Sequence, residues 1–170
     1  MKGNLRRPPS FRGLKPASEA SSSCKKMNRS SETLHERLLR SALWKRGFRF
    51  RKDDRGLVGR PDVVFRKERI AVFCDGDFWH GRQWRQLSRK LQAGTNASYW
   101  LQKIRTNKLR DRRNDRVLAR AGWQVVRLWE TDILNDPVAS AAAVEAVLCR
   151  RRPEPSPPQR TPSNSFDPIK

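Results

Sequence analysis

The stretch that most constrains this chain runs from Gly59 to His80 and reads Gly-Arg-Pro-Asp-Val-Val-Phe-Arg-Lys-Glu-Arg-Ile-Ala-Val-Phe-Cys-Asp-Gly-Asp-Phe-Trp-His. Two runs of β-branched and aromatic residues, Val63–Phe65 and Ile70–Phe73, flank a charged turn. Short continuous apolar runs bounded in this way read as a hairpin of buried strands. The polar exceptions stand at the strand ends. Asp62 opens the first strand, and Asp75, Asp77 and His80 follow the second. Carboxylates gathered at strand ends suit a hard, oxygen-loving cation such as Mg²⁺, and a histidine beside them suits proton transfer near neutral pH. Taken singly, Asp62 and Asp75–Gly76 read as turn residues and His80 as a surface histidine. Taken together, in a chain this basic, they read as a site.

The charge narrows the partner. The 170 residues carry 38 Lys and Arg against 17 Asp and Glu, a net charge of +21. That excess is far more than solubility requires and implies binding to a polyanion, with affinity that falls as salt rises. Charge alone leaves nucleic acid and anionic membrane open. Six tryptophans add surfaces for stacking or wedging, or simply for core packing. No stretch approaches the roughly 20 apolar residues needed to span a bilayer. The basic N-terminus lacks an apolar segment, so it does not read as a secretory signal. Cys24, Cys74 and Cys149 are odd in number and scattered, which argues for a reducing cytosol rather than a disulfide framework. There is no CxxC or CxxH pair of the kind that builds a structural zinc site.

Along the chain, residues 1–29 are rich in Arg, Lys, Ser and Pro and read as a basic flexible arm, either an aid to phosphate contact or an inert tail. Ser30 to Arg46 reads as a helix. Thr33 and Glu36 form a capping box, Leu34, Leu38 and Ala42 make an apolar face, and Leu39 and Leu43 widen it until Glu36 borders the core. From pattern alone, Glu36 is a capping glutamate. Gly47 ends the helix. Phe48–Arg51 alternates and reads as a first strand, followed by a polar loop over Asp53–Gly59 and then the hairpin. Gly81–Ala97 has no clear period and reads as a loop with some helix beside the site.

Ser98–Arg120 is the longest helix candidate. Trp100, Ile104, Asn107, Asp111, Asn114 and Leu118 share one narrow stripe. Polar residues between apolar ones on an inward stripe are unusual unless they line a site, although a salt bridge to a neighbouring arginine is the plain reading of Asp111. The other faces carry Lys103, Arg105, Lys108, Arg110, Arg112, Arg113, Arg116 and Arg120, which suit a phosphate-tracking face. Gly122 ends the helix, Trp123–Trp129 reads as a strand next to the hairpin, and Pro137 opens a last helix with Ala141, Val144, Val147 and Leu148 inward. Residues 30–150 thus form one domain, and the Pro- and Ser-rich residues 151–170 read as a disordered tail. The order α-β-β-β-α-β-α gives an α/β sandwich with a mixed sheet.

Four segments carry a resemblance: Gly59–Asp62, Asp75–His80, Tyr99–Asp111 and Gly122–Glu130. In these residues, their order and their spacing, the chain resembles the Vsr endonucleases, the very-short-patch repair nucleases of the restriction-endonuclease-like PD-(D/E)xK superfamily. The resemblance runs from about Ser30 to Leu148. It implies a restriction-endonuclease-like sandwich and Mg²⁺-dependent nicking of one DNA strand 5′ of the thymine at T:G mismatches left by deaminated 5-methylcytosine. It implies Asp62 as the metal-ligating aspartate, the Cys74 main-chain carbonyl as a further ligand and His80 as general base. Glu36 and Asp111 would support metal-bound water or the histidine. Phe78, Trp79 and Trp100 resemble the aromatics that wedge into the base stack, with Arg60, Lys103, Lys108, Arg112 and Arg113 as DNA contacts.

The chain departs from the family's pattern in two places. The positions of a structural zinc in other members look like Asp77, Arg82, Trp84 and Thr131, so no structural zinc is expected here. Asp75 stands where some members have a second histidine, and an aspartate there is expected to join Asp62 on the metal. By the same resemblance the partners are double-stranded, mismatched DNA and, for some members, mismatch-repair proteins, with no membrane. A monomer in the bacterial cytosol is expected. A restriction-type enzyme cutting matched DNA and a catalytically inactive DNA-binding module are the rival readings.

Overall fold

A computed structural model describes residues 32–151. The expected N-terminal arm, residues 1–29, lies outside the described residues, as do residues 152–170 of the expected tail. Arg151 itself closes the last helix.

The elements follow in chain order. α1 is Leu34–Lys45, β1 Arg51–Lys52, β2 Val63–Phe65 and β3 Ile70–Asp75. Then come α2, Asp77–His80, α3, Trp84–Gln92, and α4, Ala97–Arg120. β4, Gln124–Trp129, α5, Glu130–Asn135, and α6, Pro137–Arg151, complete the fold. The sheet has the order β1-β2-β3-β4, antiparallel across its first pairs and parallel between β3 and β4. The expected mixed α/β sandwich is what forms, and the architecture is that of a restriction-endonuclease-like fold.

β3 explains why the hairpin reads as continuously apolar. All its residues are buried, because the sheet is covered on both faces. Ile70, Val72 and Cys74 join Leu39 and Leu43 of α1, Ile133 of α5 and Ala141, Val144 and Leu148 of α6 in one core. Ala71 and Phe73 point the other way, against Leu118 of α4. The parallel pairing sets Cys74 beside Leu128 and Asp75 beside Trp129, so the polar end of β3 opens at one edge of the sandwich.

Several boundaries differ from the sequence reading, each for a physical reason. The first strand is Arg51–Lys52, not Phe48–Arg51. The alternating Phe48 and Phe50 instead set their rings edge-on to Phe65, at centroid distances of 6.2 and 6.0 Å. The buried face of α1 is centred on Leu39 and Leu43, while Leu34 stands 62% exposed, so the helix is rotated from the expected face and turns Glu36 inward. α3 is the helix within the segment read as a loop with some helix; Trp84, Leu87 and Leu91 recur along one side and are half-buried, and none of its residues is fully buried. α5 was not expected at all. Its acidic first turn, Glu130 and Asp132, suits a helix start, and Ile133 anchors it in the core.

Candidate active site

An open cavity of about 690 Å³ lies where β3 ends, and Glu36, Asp62, Cys74, Asp75, His80 and Asp111 all line it. The chain reaches this point through a strained turn. Gly59 (φ +82°) and Arg60 (φ +53°) are both left-handed, immediately before Pro61 and Asp62. A Cβ on Gly59 would stand 2.8 Å from Asn114 Nδ2 and 3.2 Å from Phe73, so only glycine fits between the turn and α4. The turn delivers Asp62 onto β3. Its N–H donates to the Val72 carbonyl (3.0 Å), and its Oδ2 accepts from the Cys74 N–H (2.7 Å). Burial pushes the Asp62 carboxyl up to about 7, against the pull of the Cys74 N–H, and the nearby charges of Glu36 and Asp75 push in the same direction.

Glu36 is both the expected cap and part of the cavity wall. Its carboxylate accepts from the Thr33 hydroxyl (2.8 Å) and the Glu32 N–H (2.9 Å), while Thr33 Oγ1 accepts from the Glu36 N–H (3.5 Å). Arg40, one helical turn on, donates to Glu36 (3.4 Å) and Glu32 (2.9 Å).

His80 closes α2, a four-residue helix that follows Gly76. Its Nδ1 donates to Asp111 Oδ2 at 2.7 Å, and Asp75 Oδ1 is 3.5 Å from the same nitrogen. With the proton held on Nδ1, Nε2 keeps its lone pair. Desolvation opposes the charge on Asp111, but the hydrogen bond from His80 and the positive charges of His80, Arg127 and Arg110 hold it below the usual carboxylate range. The stripe read on α4 is the inward one. Asn107 donates to the Trp79 carbonyl (3.0 Å), Asp111 pairs with His80, and Asn114 packs under Gly59.

Phe78 and Trp79, on the same short helix as His80, form one aromatic cluster with Trp100 of α4. Phe78 lies 5.3 Å from each tryptophan, and the tryptophan centroids are 5.9 Å apart. Arg112 and Arg113 stand on the exposed face of α4. Lys108 donates to the Gly81 carbonyl (3.5 Å), and Arg60 pairs with Asp53 at 2.9 Å, so both are tied into the protein. Lys103 is half-buried on α4.

Asp75 lines the same cavity and is held by Arg127. Both of its oxygens accept from Arg127 Nη1, at 2.7 and 2.8 Å, while Arg127 Nε and Nη2 bind Asp115. Arg127 and Arg40 are among the cavity residues that sequence reasoning missed, with Glu32 and Lys52. Among the described residues no three His, Cys, Asp or Glu side chains form a ready metal cage. The donors present are hard oxygens, and the half-buried Asp62, with the charges of Glu36 and Asp75 near it, is short of positive charge. Both features fit a divalent cation of the Mg²⁺ type, which binds through few protein ligands.

The four positions that the resemblance sets at a structural zinc fall in two places. Asp77 accepts from both Arg82 and Thr131, while Trp84 starts α3 with Lys108 Nζ 5.5 Å from its ring centre.

Comparison with known proteins decides the family. A sequence model described as DNA mismatch endonuclease Vsr matches residues 16–86. The nicking enzyme V.HpaIIP of Haemophilus parainfluenzae is 35% identical over 127 residues, covering 75% of this chain and 89% of that one. The nicking enzyme V.NaeI of Lentzea aerocolonigenes is 44% identical over 123 residues, covering 66% and 69% of the two chains. The chain belongs to the Vsr DNA mismatch endonuclease family. It is a DNA endonuclease, and DNA is its partner. The DNA mismatch endonuclease Vsr of Escherichia coli is 39% identical over 99 residues, 58% of this chain and 62% of its own. No helix among the described residues of this Vsr-family chain is long and apolar enough to cross a membrane.

Proposed function

We propose that this chain nicks one strand of duplex DNA 5′ of the thymine at T:G mismatches, in a reaction that depends on Mg²⁺. The observation that carries this reading is one arrangement: the His80–Asp111 pair and the half-buried Asp62 share a cavity, and His80 sits on the same short helix as Phe78 and Trp79, which cluster with Trp100. Asp62 and the Cys74 main-chain carbonyl would hold the cation, and Asp75, engaged by Arg127, stands beside them. When bound, the cation supplies charge stabilisation for the scissile phosphate and the leaving oxygen. His80 takes a proton from the attacking water at Nε2, because Asp111 keeps Nδ1 protonated and stabilises the imidazolium that forms. Glu36 holds α1 against the site. The aromatic cluster enters the base stack, which costs least where pairing is already faulty. Arg112 and Arg113 follow the phosphates. A monomer in the cytosol suits this work, and mismatch-repair proteins would be its natural protein partners.

The test is a nicking assay with Mg²⁺ on end-labelled duplexes, matched and T:G-mismatched. Nicking confined to the mismatch, abolished in Asp62→Ala and in His80→Ala while both variants stay folded, is the expected result. Intact activity in either variant sinks the site assignment. Cutting of matched DNA moves the chain to a restriction-type reading, and binding without cutting under any divalent ion makes it a binding module.

A further inference from the structure

We propose that Arg82 is a positioning residue. Through Asp77 and Asp132, and beside the Thr131–Asp77 hydrogen bond, it clamps the aromatic turn to α5 and so sets where Phe78 and Trp79 meet the DNA. The functional side of this proposal rests on the reading of those aromatics as the surface that unstacks bases.

α2 cannot hold its own place. It has four residues, none of them buried, and its N-cap, Gly76, offers no side-chain cap. A single helical turn is not stable alone in water. Yet this turn carries the aromatics on one side and His80 on the other, so something outside it must fix it. Towards α4 it is held by Asn107 on the Trp79 carbonyl and by Gly81, left-handed at φ +69°, pressed against Ile104. Those contacts fix the middle and end of the turn and leave its start, Asp77.

The start is held from the opposite side. Arg82 Nη2 donates to Asp132 Oδ1 at 2.7 Å, and Arg82 Nη1 reaches Asp77 Oδ1 at 3.5 Å. The Thr131 hydroxyl donates to Asp77 Oδ2. Arg82 therefore joins two carboxylates, one on the aromatic turn and one on α5. Thr131 makes the same link by a shorter route. α5 is a firm anchor, because Ile133, next to Asp132, is fully buried in the main core. The guanidinium also lies 5.8 Å from the centre of the Trp129 ring, at the end of β4. A planar fork with donors on separate nitrogens can serve two acceptors in fixed directions, which an ammonium cannot. One exposed ion pair is worth little; a network sharing one arginine, together with a hydroxyl, is worth more and is weakened by salt.

The test compares the wild-type protein with Arg82→Ala, Arg82→Lys and Asp132→Asn by amide hydrogen exchange without DNA, then by nicking of the T:G duplex. Asp132 is half exposed, so Asp132→Asn keeps the test open should Arg82→Ala fail to fold. Exchange over residues 76–82 is expected to quicken roughly tenfold in all three variants, with α4 amides unchanged. The nicking rate at saturating DNA is expected to fall by a similar factor, and Arg82→Lys, which keeps the charge, is expected to fall with the others. Unchanged exchange overturns the clamp. Faster exchange with unchanged nicking overturns the positioning role, and so does normal exchange with weaker binding to every duplex, the signature of a simple phosphate contact. Failure of the underlying reading shows separately, as a wild-type protein that nicks without raising the fluorescence of 2-aminopurine placed beside the mismatch.

Discussion

His80 Nδ1 and Asp111 Oδ2, 31 residues apart in sequence, lie 2.7 Å from each other where α2 meets α4. Asp111 thereby fixes which imidazole nitrogen is free to accept a proton. Asp111→Asn keeps the shape of the side chain but loses its charge, so it stabilises the imidazolium poorly and tolerates the wrong tautomer. The expected result is a loss of roughly 10²- to 10⁴-fold in the single-turnover nicking rate, with DNA affinity and melting temperature near those of the parent. A loss of binding equal to the loss of rate would instead make Asp111 a structural residue.

Burial lifts Asp62 from the ordinary 3.8 to about 7. Between those values the folded chain holds the Asp62 proton more tightly than the unfolded chain does. Its contribution to stability is therefore greatest at low pH and is lost as pH rises towards 7. A divalent cation competes with that proton, so its stabilising effect should grow over the same range. Melting curves from pH 5 to 8, with EDTA and with Mg²⁺, check this. The Mg²⁺-induced rise in melting temperature should increase with pH in the parent and vanish in Asp62→Asn; a rise independent of pH would remove Asp62 from the cation site.

Gly59→Ala tests the turn that delivers Asp62. The new Cβ meets Asn114 Nδ2 at 2.8 Å, and the residue must keep a φ of +82° that alanine resists. A destabilisation of about 1–2 kcal/mol is expected, a fall of several degrees in melting temperature. Because the strain can relax by moving Asp62, nicking should fall more than stability alone explains. Gly47→Ala makes the control, since its φ is +85° but nothing lies within 4 Å of the added methyl.

What could be read from the sequence follows from contrast. Asp62, His80 and Asp111 interrupt apolar patterns, so their positions stood out before the fold was known. Glu36 did not, because its capping role is genuine and explains it locally; the approach of Asp62 is tertiary. Arg40 and Arg127 were invisible for the opposite reason, since among 38 Lys and Arg one more arginine carries no contrast. The sandwich was legible from long periodic segments such as α4. The missed α5 has six residues and one buried anchor, too little for a period to register.

The exposed arginines of α4 supply a separate check. Arg112 and Arg113 directly follow Asp111 in α4 but stand on its exposed side. If they neutralise phosphates, Arg112→Ala with Arg113→Ala should weaken binding to matched and mismatched DNA alike, and should flatten the plot of log affinity against log salt by about 2. Fluorescence anisotropy over a salt series measures both. A loss confined to the mismatched duplex would assign them to base recognition instead.

Arg127 and Asp75 should behave as one unit. Arg127 gives Nη1 to both Asp75 oxygens and its remaining donors to Asp115, and the Asp75 side chain is only 6% exposed. Arg127→Met strands a buried carboxylate beside Asp62, whose own ionisation is already suppressed. The expected cost is about 3–5 kcal/mol, much of it from the unpaired charge rather than from the lost bond. Adding Asp75→Asn to Arg127→Met removes that charge and should recover most of the loss, so the single-variant costs should not add. Urea melts of the parent, both single variants and the double variant measure the coupling. Additive costs would mean that Arg127 acts through Asp115 and that Asp75 is neutralised by other groups.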